Sequence, residues 1–432
     1  MRLILVELNE INFDFVKKYI DSGEKLPGFQ KLIANLNTTS SEKDYDNLEP
    51  WIQWASLHLG KEFKDHGIFR LGDITKSSDQ QIFEKIEQAG YKVGAVSPMN
   101  TRNDLNKPAY FIPDPWTQTK SDGSFLSKGL SEAISQAVND NSSSKITFQS
   151  LMFLFFGFLW HINFSKKITL ASFAFSALKK PWRKALFLDL FLHEIHKSLF
   201  NKNKPDFSTV FFNAGAHIQH HYFFNSKFFD NTTHKNPDWY ISNEIDPFKE
   251  MIICYDKILH ELLSIDNTEI IVATGLSQVP YKKVKFYYRL MSHKDFLTKC
   301  NIEFKEVFPR MTRDFLVTFE NEKLALIAQE KLGAIKVNGE ERLFGLIDNR
   351  GSELFITLTY PNEIKDEAYI SIGTRKINLK EETVFVAIKN GMHSEKGYAY
   401  FSKNIKKFSP PENSHVSNIH KSIIEIFHSI SN

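Results

Sequence analysis

A repeated pattern constrains this chain more than anything else in it. A short apolar run leads into a cluster of polar and ionisable residues, and a helical pattern follows. Leu3–Val6 runs into Glu7, Asn9 and Glu10. Thr209–Asn213 runs into His217, His220 and His221, and Ile270–Thr274 into Gly275 and Gln278. Uninterrupted apolar runs of this length are what strands buried on both faces require, and parallel strands need crossover helices between them. Helices are predicted over Phe13–Ile20, Leu26–Leu36, Trp51–Gly60, Ile82–Gly90, Leu186–Phe200 and Met251–Leu263, with a further strand at Lys92–Ser97. The expectation is an α/β core with a mostly parallel sheet flanked by helices. In open sheets of this kind, ligands sit beyond the carboxyl ends of the strands, which is where the polar clusters fall.

Two segments interrupt the alternation. Residues 140–185 are rich in Phe, Leu and Lys and read as a helical insertion. Its Leu151–Trp160 run is uncharged, and Lys166, Lys167, Lys179, Lys180, Arg183 and Lys184 lie beside it. A bilayer span needs about 20 apolar residues, so this run predicts a buried or interfacial helix. Residues 310–380 read as a small α+β subdomain of βαβββ pattern, after which Thr383–Ile388 is expected to rejoin the main sheet. The core is then 1–139, 186–309 and 381–432. Asn141–Ser144 is the expected flexible loop.

Composition narrows the function. With 54 Lys+Arg against 51 Asp+Glu the charge is nearly balanced, unlike that of a dedicated nucleic-acid binder. Two cysteines in 432 residues exclude a disulfide scaffold. Met1–Val6 reads as the first strand, since a signal peptide needs a longer apolar stretch. The protein is expected to be cytoplasmic, with peripheral membrane contact through 146–185.

Four clusters carry possible chemistry. In the segment from Asn213 to Tyr222, His217 shares a helix face with His220 and His221. Imidazoles so spaced suit a divalent metal or general acid–base work, and they equally suit surface histidines near a turn. Glu7, Asn9 and Glu10 end the first strand, either for binding or for capping the next helix. In Glu49-Pro50-Trp51-Ile52-Gln53-Trp54-Ala55-Ser56, Glu49 precedes a helix whose tryptophans share a face. Asn390-Gly391-Met392-His393 follows a late strand.

The order of these clusters resembles the alkaline phosphatase superfamily, in its type I phosphodiesterase/nucleotide pyrophosphatase branch. The resemblance rests on Trp54-Ala55-Ser56 before Gly60-Lys61, on His66-Gly67-Ile68, on His220 in the place of the histidine of Asp-x-x-x-His, and on Gly391-x-His393. It covers residues 1–110, 186–280 and 383–402. It implies an alkaline-phosphatase-like core and a hydrolase or transferase acting on a phosphate, phosphodiester or sulfate ester. The family binds two metals, but here Asn9 stands for the first metal-binding Asp and Pro50 for the Thr or Ser nucleophile. Ala216 stands for the Asp of Asp-x-x-x-His, and Gly275-Leu276 for an Asp-His pair. At most one divalent metal, zinc or manganese, is expected, held by His220 and His393 with a third ligand from Glu7, or else from Glu10 or His217, and with no other cofactor. The implied catalytic groups are His217, His220, Glu10 and Glu49. Asn9, Gln53, Trp54, His221 and Gln278 are the implied substrate-binding set. Ser56 is a minor candidate for nucleophile, and Arg289, Arg310 and Arg313 for an anion clamp. The alternative is a catalytically degenerate pseudoenzyme that holds an anionic glycan or lipid headgroup. No nucleic-acid partner is expected.

Overall fold

A computed structural model describes residues 1–139, 147–230, 232, 234–309 and 313–431. The expected Asn141–Ser144 loop and Arg310 lie outside the described residues. The chain forms two compact units. The first comprises Met1–Asp230, Asn243–Pro280 and Gly391–Asn432, and the second Asn231–Ser242 and Tyr281–Asn390.

In chain order the first unit holds β1 (Arg2–Leu8), α1 (Phe13–Asp21), α2 (Pro27–Ile33), β2 (Leu36–Ser40), α3 (Pro50–Leu59), α4 (Phe63–His66), α5 (Ile82–Gln88), β3 (Val93–Val96) and β4 (Tyr110–Ile112). Next come α6 (Phe125–Asn139), α7 (Phe148–His161), α8 (Phe164–Ser176), α9 (Trp182–Asn203), β5 (Phe207–Phe212), α10 (Ala214–Tyr222), α11 (Pro247–Leu262) and β6 (Thr268–Ala273). β1 is central, parallel to β5 on one side and to β6 on the other. β3 and β4 extend the sheet in parallel beyond β5. The strand Lys396–Phe401 pairs antiparallel with both β6 and β2, and Ser414–His415 closes the far edge. Leu3, Ile4, Leu5 and Val6 are all fully buried. Helices cover both faces of the strand, so their apolar side chains leave water in both directions.

Sequence spacing overran two elements. The predicted helix Leu26–Leu36 ends at Ile33, and Leu36 begins β2 instead, because edge pairing with Lys396–Phe401 claims it. Thr383–Ile388 does not rejoin the main sheet. The strand Thr383–Ser394 pairs with β7 (Ser277–Leu290) in a two-stranded sheet, and the return to the main sheet is made by Lys396–Phe401.

The second unit has its own apolar core and two four-stranded antiparallel sheets. The expected boundaries of 310 and 380 are too narrow. Phe286, Tyr288, Leu290, Phe296 and Leu297 bury themselves in the same cluster as Phe315, Leu332 and Ile356, so Tyr281–Pro309 and Glu381–Asn390 belong to this unit and not to the α/β core. The helical segment 147–185 lies within the first unit.

One contact inside the first unit sets the direction of α10. Asp189, buried on α9, accepts hydrogen bonds from the backbone N–H of Asn213 (3.2 Å) and Ala214 (2.7 Å). Tyr255 of α11 donates its hydroxyl to the same carboxylate (2.6 Å) and accepts from the Gly215 N–H (2.8 Å). The free N–H groups of the first turn of α10 are therefore met by two side chains from two other helices. Burial pushes the Asp189 carboxyl up to about 6, against the opposing hydrogen bonds. The folded state thus holds this proton more tightly than the unfolded chain, and stability falls as pH rises from about 4 through about 6. Asp189→Asn removes that ionisation. Its stability relative to the wild type should rise across this pH range, by on the order of 3 kcal/mol at the upper end. Thermal unfolding of both proteins from pH 4 to pH 7 checks it, and parallel curves would contradict it.

Candidate metal centre

The site is built at the carboxyl end of β1. Asn9 and Glu10 follow the last residue of the strand, and Glu10 adopts a left-handed backbone with φ +63°. A residue with a Cβ pays strain there, and four bonds hold this one in place. The Asn9 N–H donates to Phe212 O (3.1 Å) at the end of β5, and the Glu10 N–H to Thr274 O (3.1 Å) after β6. The Glu10 carbonyl accepts from the Gln278 N–H (3.2 Å) and from Gln219 Nε2 (2.9 Å). Asn12 then caps α1 by accepting from the Phe15 N–H (2.9 Å), and its amide donates to Gln278 O (2.8 Å). The turn after β1 is thereby tied to both neighbouring strands and to α10.

This backbone aims the buried Glu10 carboxylate at two imidazoles. Its Oε2 lies 3.2 Å from His220 Nε2 and 3.2 Å from His393 Nε2, and the two nitrogens are 3.3 Å apart. His220 comes from α10, and His393 from the strand Thr383–Ser394. Burial disfavours the Glu10 carboxylate, but the two facing imidazoles outweigh it and hold its pKa well below the usual carboxylate range. Gln278 Nε2 donates to Oε2 (2.5 Å) and Asn9 Nδ2 to Oε1 (3.1 Å). On the other side of His393, Glu49 Oε2 lies 3.6 Å from Nδ1.

The donor set fits a divalent metal. Three ligand atoms at about 2.0–2.1 Å from a tetrahedral ion stand about 3.3 Å from one another. The three observed separations match one face of such a tetrahedron, with one oxygen and two nitrogens as ligands. Glu49, within ion-pair range of His393 Nδ1 but beyond hydrogen-bond length at 3.6 Å, lies on the side from which a carboxylate can orient a ligating histidine. A second grouping, His193, Glu194 and Glu261, has metal-like proximity but a different balance. Lys166 and Lys197 both pair with Glu194 and with Glu261, so two ammonium groups already neutralise the carboxylates.

The structure sorts the residues singled out from the sequence. It brings Glu10, His220, His393, Glu49 and Gln278 together. Asn9 supports them: its Nδ2 donates to Glu10 and to Asn213 Oδ1 (2.8 Å), and its Oδ1 accepts from Trp54 Nε1 (2.8 Å). Asn9 and Trp54 are both buried and engaged with each other, so they position the turn and do not face a substrate. His217 is exposed and packs edge-on against His221, ring centroids 4.8 Å apart, outside the Glu10 triangle.

Glu7 is not a ligand of this site. It is fully buried, pairs with His58 Nε2 (3.0 Å) and accepts from Thr209 Oγ1 (2.6 Å). Along a strand, alternate side chains point to opposite faces, and Glu10 reaches the metal-type cluster only because it lies beyond the strand in a turn. Gln53 is not a substrate contact either. Its Oε1 accepts from the Glu42 N–H (3.3 Å), and its Nε2 donates to Asn47 O (3.1 Å), which pins the loop before α3.

Ser56 is buried beside His66, at 3.0 Å from Nε2. His66 Nδ1 accepts from the Ile68 N–H (3.0 Å), so the neutral ring carries its proton on Nε2 and donates it to Ser56. Burial pushes the His66 pKa down to about 4, which keeps the ring neutral near pH 7. A histidine that donates to a serine cannot accept its proton, so Ser56 is not an activated nucleophile. Arg289 and Arg313 belong to the second unit, and Arg313 stacks on Tyr287, 4.0 Å from the ring centre.

Sequence reasoning used Gly391 only as part of a motif and gave it no role of its own. A Cβ there would lie 2.0 Å from Gln278 Oε1 and 2.7 Å from Gln219 O. Only glycine lets the strand bearing His393 approach α10 this closely. The Gly-x-His pattern carried that signal.

Solved structures resemble the chain at low identity. Phosphonoacetate hydrolase from Sinorhizobium meliloti 1021, in complex with phosphonoformate, is 12% identical over 98% of this chain and 95% of its own, with a TM-score of 0.43. Murine ectonucleotide pyrophosphatase/phosphodiesterase 5 is 11% identical over 99% and 95%, with a TM-score of 0.40. Alkaline phosphatase from the Antarctic bacterium TAB5 is 10% identical over 99% and 98%, with a TM-score of 0.41. All three are members of the alkaline phosphatase superfamily. No family model matches the chain, and no curated protein matches it.

Purified protein should carry one equivalent of a divalent transition metal by elemental analysis. Glu10→Gln, His220→Ala and His393→Ala should each release it, while His260→Ala, on an exposed position of α11, should not. Gly391→Ala should lower metal occupancy although it removes no ligand. Two equivalents per chain, or full occupancy in the His393→Ala protein, would contradict this assignment.

Proposed function

We propose that the protein is a single-metal hydrolase or transferase of phosphate, phosphodiester or sulfate esters. The observation that carries this reading is the triangle of Glu10 Oε2, His220 Nε2 and His393 Nε2, with sides of 3.2, 3.2 and 3.3 Å. Three protein ligands with one open position are the arrangement of a catalytic, as opposed to a structural, zinc site. The order of sequence motifs from Gly60-Lys61 to Gly391-x-His393 supports an anionic ester as the substrate class. A metal bound here would supply Lewis-acid polarisation of an ester oxygen and charge neutralisation.

The chain's own residues divide the remaining work. Glu10 and the two histidines hold the site together, and Gln278 and Asn9 fix the Glu10 carboxylate. Glu49 orients His393 through Nδ1. Pro50 offers no hydroxyl, so a covalent ester on that residue is ruled out, and the nucleophile is water or an acceptor alcohol. One P–O or S–O bond forms to it, one breaks to the leaving oxygen, and a proton passes from the first to the second. The half-exposed Glu49 and the His217–His221 pair are the groups suited to carry that proton.

A panel of nitrophenyl phosphate, bis(nitrophenyl) phosphate and nitrophenyl sulfate tests this reading. Turnover should depend on added zinc or manganese, and His220→Ala should abolish it. Glu49→Gln should weaken metal affinity or activity about 10–100-fold while the fold is kept. Pro50 in place of a nucleophile favours a second reading, a pseudoenzyme that holds an anion. Metal-loaded protein that binds phosphate and turns over none of the three esters would replace the first reading with the second.

A further inference from the structure

The helices α7 and α8 expose an apolar surface that the α/β core does not cover. Their inner sides are packed: Phe153 lies against the Phe125 ring (centroids 5.0 Å apart), Gly157 faces Leu130 and Phe191, and Leu170 is 2% exposed. Their outer sides are not. On α7, Phe148, Leu151, Met152, Phe155 and Leu159 recur at helical spacing and are 40–79% exposed, and Trp160 at its end is 68% exposed. On α8 and just beyond it, Phe164, Ile168, Phe175 and Leu178 are 75–86% exposed. An apolar surface of this extent on a soluble domain marks an interaction site.

Charge identifies what covers it. Residues 147–188 contain no Asp or Glu, yet they carry Lys166, Lys167, Lys179, Lys180, Arg183 and Lys184. Lys166 is neutralised by Glu194 and Glu261, and Arg183 by Glu250. Lys167, Lys179 and Lys180 have no carboxylate partner among the described residues. A second copy of the chain on this face would bring these lysines together with no acidic residue of the segment to meet them. An anionic lipid surface meets both properties at once, since it takes Phe, Leu and Trp side chains into the acyl boundary and cations among its phosphates. The 14-residue helix α7 is about 21 Å long, short of the roughly 30 Å hydrocarbon thickness, and no described helix is long and apolar enough to cross a membrane.

We propose that α7 and α8 form a docking surface on which the protein lies against an anionic lipid bilayer. This goes beyond the ester-hydrolase reading and stands whether or not that reading holds.

The test is co-sedimentation of the full chain with vesicles of phosphatidylcholine, with and without phosphatidylglycerol. Binding should need phosphatidylglycerol and weaken with salt. Brominated acyl chains should quench tryptophan emission in the wild type, and much less in Trp160→Phe. A Phe164→Ser/Ile168→Ser/Leu178→Ser variant should bind at least about tenfold more weakly, because each residue contributes apolar area to insertion. These side chains are 77–86% exposed, so unchanged circular dichroism is expected and shows that the fold is kept. Lys179→Gln/Lys180→Gln should lose about tenfold and flatten the salt dependence. No sedimentation with phosphatidylglycerol vesicles, or equal binding by the triple variant, would overturn the proposal. A lipid-free dimer that the triple variant dissociates would do the same, and would assign the face to a second copy.

Discussion

The site depends on one carboxylate held in an unfavourable place. Glu10 leaves β1 with a left-handed backbone, and its buried side chain faces two imidazoles. Neither feature is stable alone. An isolated buried carboxylate would take up a proton, and a left-handed glutamate would relax. Bonds from the ends of β5, β6 and β7 and from α10 fix the backbone. The imidazoles, Gln278 and Asn9 stabilise the charge. Strain at this position is therefore tolerated by the same contacts that assemble the metal-type triangle.

A second layer transmits the fold to the site. α10 presents His220 because Asp189 and Tyr255 terminate its first turn, and because Gln219 bonds the Glu10 carbonyl. The residue after a parallel strand, the helix that follows and the neighbouring strand end are all locked by polar contacts. Such contacts are directional, whereas the apolar core beneath them fixes position but not orientation. This is how a chain with so many phenylalanines still brings three ligand atoms to 3.2–3.3 Å from one another.

Much of this was legible beforehand, for identifiable reasons. Leu3–Val6 is apolar without interruption and could only be a strand buried on both faces. Trp51–Gly60 reads as a helix with a glycine stop, and Gly60 indeed ends it with φ +69°. His220 and His393 were singled out by motif order, and they meet although 173 positions separate them. The His66-Gly67-Ile68 motif was also visible, but its role was not. The Ile68 N–H fixes the tautomer of His66 and turns an apparent serine–histidine pair into a structural bond.

The sequence by itself determined the alternation of strands and helices, and it put polar clusters after the strands. Both follow from local periodicity and from which residues avoid water. Only the tertiary structure decided which acidic residue of the first cluster joins the histidines. Glu7 and Glu10 are equivalent in composition and lie three positions apart. Glu7 still obeys the strand's alternation and turns to His58 and Thr209, while Glu10 lies past the strand in a turn that β5, β6 and α10 close. The boundary at Tyr281 was likewise undecidable locally, because β7 continues as one strand while its later side chains enter a different core. Long-range contacts set both outcomes, and no window of neighbouring residues contains them.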